Sequence, residues 1–201
     1  MMSKKIDKYK IFSAVLKNLR FEKDFNSCFS QTINDLKLSK TTKEIIFNEI
    51  AKDGINSFVL NINKFLDDKL KKKIPKSFYN FKVNEKIRFL IITRLKLIDE
   101  LFNKSDLFKL AVRQKSFIRL NKMIFNISDE MWFLSGDTST DFNYYSKRGI
   151  LMNIYSLSYI YNLSQKDFSK TEKFVNKQID FTLSFGKMKS KFKKVFQSKA
   201  I

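Results

Sequence analysis

The chain contains no histidine. Ser-His-Asp and Cys-His catalysis both need an imidazole base, and His-containing zinc and di-iron sites lose their ligands, so these classes are excluded. Neither GxxxxGK[ST] nor GxGxxG occurs, which leaves no nucleotide-cradling loop. The single cysteine, Cys28, permits no intrachain disulfide, and its neighbours Phe25 and Phe29 mark it as a small core residue. Glycine is scarce at 4 and proline at 1, so few breaks interrupt the chain and many short strands are not expected. No apolar run reaches the roughly 18 residues of a membrane span. The opening MMSKKIDKYK has neither the apolar stretch of a secretory signal nor the Arg- and Ser-rich character of a mitochondrial presequence.

What is present is length, charge and apolar bulk. The 201 residues suit one domain with a sizeable core. A formal net charge of +20 points to nucleic acid or an anionic membrane as partner class. Lysine far outnumbers arginine, however, and lysine, asparagine, isoleucine and phenylalanine are all abundant, a mixture that AT-rich codons also give. Dedicated phosphate readers favour the planar fork of arginine.

The apolar periodicity predicts an all-α chain of nine or ten helices. The expected helices are 8–19, 24–36, a short one capped by Ser39 or Thr41, 56–74 closed by Pro75, 84–103, 107–115, 117–134, 140–163 and 171–185, the last with no break to stop it before the C-terminus. Gly136 is expected as the left-handed cap of the helix before it. Three short helices followed by longer ones is the order of TetR-type regulators, and LSKTTKEIIF lies where a recognition helix would fall. Glu44 in that segment and Glu49 just after it would repel phosphate, and the aromatic-His-Phe end of the TetR motif is missing. The expected organisation is a helix-turn-helix-like subdomain over 1–52, a helical body over 53–186 and a basic tail over 187–201. The alternative function is a TetR-type DNA-binding regulator.

The stretch from Ser128 to Tyr155 is the most specific. Asp129, Glu130, Met131 and Trp132 precede Gly136 and Asp137; then come Ser139, Thr140, Asp141, Phe142, Asn143, Tyr144, Tyr145, Lys147 and Arg148. This closely resembles the signature of the lipid-binding accessory protein of coenzyme Q biosynthesis, the ninth protein of the eukaryotic pathway. That family usually has Trp at the position of Tyr144 and Arg at that of Lys147. The resemblance implies a TetR-like homodimer, not an enzyme and without a cofactor, that binds an isoprenoid quinone precursor. It implies presentation of that lipid to the di-iron demethoxyubiquinone hydroxylase, and no specific nucleic acid. It places the protein on the inner membrane, on the cytoplasmic side in a bacterium or the matrix side in a mitochondrion. Asp129, Trp132, Asp137, Tyr144, Tyr145 and Arg148 become the expected partner-binding patch, since aromatics and arginine anchor interfaces. GDTSTDFN alone reads as a helix-helix corner in which Ser139 or Thr140 caps the second helix. A calcium loop lacks its mid-loop Gly and terminal Glu.

The 22 phenylalanines, 7 tyrosines and 6 methionines suit an adaptable apolar pocket as well as a core. Ile150, Ile154, Leu157 and Tyr161 form one stripe, flanked by Leu151, Tyr155 and Ser158. Ile91 and Leu95 belong to the stripe of an earlier helix. The expected lipid-binding set is Ile91, Leu95, Met131, Trp132, Leu151, Ile154, Tyr155 and Ser158. After Asp180 the chain carries no acid; Phe185, Met188, Phe192 and Phe196 recur at helical spacing with Lys189 and Lys193 among the lysines between them, and these six are the expected membrane-binding residues. A basic amphipathic helix of this kind lies flat in an anionic bilayer interface.

Overall fold

The computed structural model describes residues 7–19 and 24–198, with side chains placed through Ser184. Among the described residues the chain is all-helical, with nine α-helices and no strand. They are α1 Lys8–Asn18, α2 Phe25–Asp35, α3 Lys40–Ile50, α4 Ile55–Lys73, α5 Val83–Leu101, α6 Lys104–Arg113, α7 Phe117–Leu134, α8 Asp141–Ser164 and α9 Phe168–Ser198. A 3-10 turn, Lys76–Asn80, follows Pro75; the apolar pattern gives no sign of so short an element.

Helix starts follow local chemistry. Asp7, Asp24, Ser39 and Asn103 each accept a hydrogen bond from a backbone N–H of the helix they precede, which satisfies donors that the helix cannot. Of the two candidates before α3, Ser39 is the cap. At α8 the expected side-chain cap is absent: Thr140 holds the cap position without a hydroxyl bond to a helix backbone N–H, donating instead to the Asp141 carboxylate at 3.3 Å, and the Ser139 hydroxyl donates to Asp137. Asp141 begins α8 at φ +54°, a left-handed conformation that aspartate tolerates better than most residues.

The chain divides into two compact units. The first comprises residues 1–72 and 97–123. Its core is a cluster of aromatic rings. Phe12 meets Phe58 and Phe65 edge-on at 5.5 and 5.6 Å, and Phe58 also contacts Phe25 and Phe29. Edge-to-face pairs place the positive ring edge on a negative face, so phenylalanine fills this core with some directionality. Cys28 is buried here, its thiol 3.8 Å from the Val15 carbonyl, in the packing role expected of it.

The second unit comprises residues 73–96 and 124–201. It contains the 3-10 turn, most of α5, the second half of α7, and the hairpin of α8 and α9. The hairpin is fastened at its closed end by Tyr161 stacked on Phe174 at 4.3 Å, and by the buried Thr171 hydroxyl donating to Asn162 Oδ1. Inside it, Ile87, Leu90, Ile91, Leu95, Met131, Leu151, Val175 and Ile179 are buried. Arg94 is also fully buried and donates from Nε to the Tyr155 hydroxyl at 3.2 Å. No helix among the described residues is long and apolar enough to cross a membrane.

Candidate functional site

The α7–α8 corner is built from the end of one helix outward. Gly136, at φ +85°, donates its N–H to the Phe133 carbonyl, and Asp137 donates its own to that of Trp132. These two bonds are the Schellman closure, with the expected glycine in the left-handed position. The closure turns the Asp137 carboxylate back toward α8, where Lys147 and Arg148 both lie about two turns into the helix.

Arg148 is the hub. Its side chain is only 4% exposed, and its Nε and Nη1 reach Asp129 at 2.7 Å and Asp137 at 2.9 Å. Its guanidinium lies 3.5 Å from the centre of the Tyr144 ring, and the Tyr144 hydroxyl donates to Asp129 at 2.9 Å. Lys147 donates to Asp137 at 2.7 Å and to the Ser139 hydroxyl. Two carboxylates thus face two cations, so this four-residue network is neutral within a strongly basic chain. Burial by itself would push the Asp137 carboxyl up. The hydrogen bonds from Lys147, Arg148 and Ser139 outweigh it and hold the group well below the usual carboxylate range. Burial opposes the charge of Arg148 too, and the bonds to Asp137 and Asp129 more than restore it.

Trp132 joins this network to an apolar cavity. Its indole N–H donates to the Lys147 carbonyl at 3.1 Å, and the Lys147 ammonium sits 5.2 Å from its ring centre. Trp132 also lines a cavity of about 330 Å³ shared by α5, α7, α8 and α9. The floor is made by buried Ile87, Leu151, Ile154 and Ile179; Val83, Ile150 and Leu183 are exposed at its mouth, and only Asn84 and Thr182 bring polar side chains. An apolar wall with few polar groups is the usual make-up of a small-ligand site.

Of the expected lipid-binding residues, Trp132, Leu151 and Ile154 meet at this cavity. Ile91, Leu95, Met131, Tyr155 and Ser158 do not line it; they are buried in the core of the unit. Ile87, four residues before Ile91, and Ile150, four before Ile154, lie on the same stripes as those residues, so the sequence pattern points to them too. It does not point to Ile179 and Leu183, because nothing in the pattern of α9 says which face meets α8. Of the expected partner-binding set, Asp129, Trp132, Asp137, Tyr144 and Arg148 form one connected network, while Tyr145 is 67% exposed and stacks edge-on against Tyr144. Phe142 beside them is 83% exposed. Phe185, Met188, Lys189, Phe192, Lys193 and Phe196 fall within α9, but their side chains lie outside the described residues. Among the described residues no three His, Cys, Asp or Glu side chains converge on a possible metal position.

Residues 119–186, which contain both the network and most of the cavity wall, match the COQ9 family model. A "Probable ubiquinone biosynthesis protein coq9, mitochondrial" from Dictyostelium discoideum is 29% identical over 109 residues, 53% of this chain and 36% of that protein. The rat and bovine proteins named "Ubiquinone biosynthesis protein COQ9, mitochondrial" are each 33% identical over 66 residues, 32% of this chain and 21% of theirs. The matches therefore span about a third or less of those relatives' lengths.

Proposed function

We propose that this chain, whose residues 119–186 form a COQ9-family domain, serves ubiquinone biosynthesis as an accessory protein that holds an isoprenoid quinone precursor and offers it to the hydroxylase acting on demethoxyubiquinone. The observation that carries the reading is the apolar cavity of about 330 Å³ inside the unit that bears the match. That volume is at the low end for small-ligand sites, roughly 300–1,000 Å³. It suits a ring or a short length of isoprenoid chain rather than a whole long tail. Burial of the apolar stretch against Ile87, Leu151, Ile154 and Ile179 offsets the cost of drawing a lipid out of the bilayer.

The exposed Phe142 and Tyr145 beside the Arg148 network supply the docking surface for the hydroxylase. The network fixes the backbone on which those two rings stand. A rigid anchor loses little side-chain entropy on binding, which favours affinity. The basic C-terminal stretch of α9 brings the protein, as a homodimer, to the anionic inner-membrane surface. The relatives' names place them in mitochondria, which supports the matrix side. Chemistry on the quinone ring belongs to the partner in this reading.

The test is mass spectrometry of lipid co-purified with the chain from cells that make ubiquinone, compared with an Ile154→Trp variant that fills the cavity. A prenylated aromatic in the parent and its loss from a folded variant are expected. Lipid-free parent protein, or a variant that retains the same lipid, would sink the reading.

A further inference from the structure

The turn between α6 and α7 leaves Phe117 and Ile118, each 80% exposed, at the very start of α7. Neighbouring helical positions point about 100° apart, so the first turn of α7 presents two adjacent faces to solvent. The corner is nonetheless held in place. Lys115 adopts φ +50° and donates to the Val112 carbonyl at 3.0 Å; the Ser116 hydroxyl accepts from the Arg119 N–H at 3.3 Å; the Arg119 guanidinium donates to Asn56 at 3.0 Å. Val112, 53% exposed, adds apolar surface on the α6 side. Around these residues Lys109, Lys115, Arg119 and Lys122 are exposed, and the one acid between residues 104 and 122, Asp106, is buried.

We propose that this corner is a bilayer-contacting wedge: Phe117 and Ile118 enter the interface between anionic lipid head groups while Lys109, Lys115 and Lys122 meet their phosphates. The shape favours a bilayer over an acidic protein. Two convex side chains at a helix tip offer no groove for a partner's anchor, whereas a fluid interface closes around them. The charge fits as well, since lysine stems lie along apolar surface while their ammonium groups stay at the polar boundary. This contact is separate from the C-terminal part of α9 and does not depend on what the cavity holds.

The test uses the full chain with phosphatidylcholine vesicles, with and without phosphatidylglycerol. A Phe117→Trp variant should show emission quenched by brominated acyl chains of the mixed vesicles, beyond the signal that Trp132 gives in the parent. The double variant Phe117→Ser, Ile118→Ser should bind mixed vesicles about tenfold more weakly with unchanged helicity, since exposed positions contribute little to the fold. Lys109→Ser, Lys115→Ser and Lys122→Ser together should flatten the salt dependence. No added quenching of Phe117→Trp on bound vesicles overturns the proposal. So does unchanged vesicle affinity of the double variant, including the case where it loses an acidic protein partner instead.

Discussion

Asp137 and Arg148 show how a buried charge is kept. Asp137 accepts from Lys147, Arg148 and Ser139, and its carboxyl lies well below the unfolded value of 3.8. A carboxyl with a depressed pKa in the fold contributes stability that is fully present above that unfolded value and is lost as the pH falls toward the folded one. Asp137→Asn should cost about 3 kcal/mol at neutral pH, because it removes the buried one of Arg148's two counter-charges and leaves only the partly exposed Asp129. Its stability should also fall less steeply than the parent's below about pH 4, where the parent's carboxyl takes up its proton; urea melts across that range would check both. The neighbouring tyrosines should separate. Tyr144→Asp puts a carboxylate beside Asp129 and removes the ring from Arg148, so a loss of about 1–3 kcal/mol is expected. Tyr145→Asp, at an exposed position, should leave the thermal midpoint nearly unchanged while weakening binding to the hydroxylase. Equal melts for the two variants would contradict this division.

At the scale of elements, the α7 terminus depends on one conformation. A Cβ at Gly136 would meet nothing within 4 Å, so a substitution there is felt only through the positive φ of +85°. Gly136→Ala should therefore cost about 1 kcal/mol, and Gly136→Asn less, in equilibrium unfolding. A larger loss would mean that the Schellman closure also sets the Asp137–Arg148 geometry. The other element with a separable part is α9. Its buried residues Thr171, Val175 and Ile179 fasten it to the second unit, and all precede the lysine-rich stretch. Deleting the chain from Lys189 should abolish flotation with anionic vesicles that depends on this helix and leave a folded protein. High salt should weaken the intact helix by screening its lysines. Truncated protein that floats as well as the parent would remove α9 from the membrane contact.

For the whole molecule, the absence of histidine weighs more than the +20 charge. The purified chain, with or without added iron, should turn over no demethoxyubiquinone; steady product formation by the chain alone would end the accessory reading. The charge should show itself on DNA only as nonspecific binding that falls steeply with salt. α3, in the recognition-helix position, exposes Ile45 and Phe47 and carries Glu44 and Glu49, and Glu49 pairs with Lys8 at 2.8 Å. A duplex bound about a thousandfold tighter than random sequence at physiological salt would favour a repressor instead.

The elements of this protein were legible because helix boundaries are local. The caps at Asp24, Ser39 and Gly136 act within a few residues of themselves, and the apolar spacing repeats every turn, so α7 falls on the expected residues 117–134. The signature between Ser128 and Tyr155 likewise puts the candidate residues on α7, α8 and the turn between them. Its inner arrangement was decided by packing. A basic residue early in a helix is ordinarily solvated; Arg148 turns inward because α7 and the turn after it present Asp129 and Asp137 to the same spot. Ile87 and Ile91 sit on one stripe of α5, yet only Ile87 lines the cavity, because α8 and α9 close against the remainder. Periodicity fixes which residues leave water, whereas the positions of neighbouring helices decide which of them face a void and which face one another.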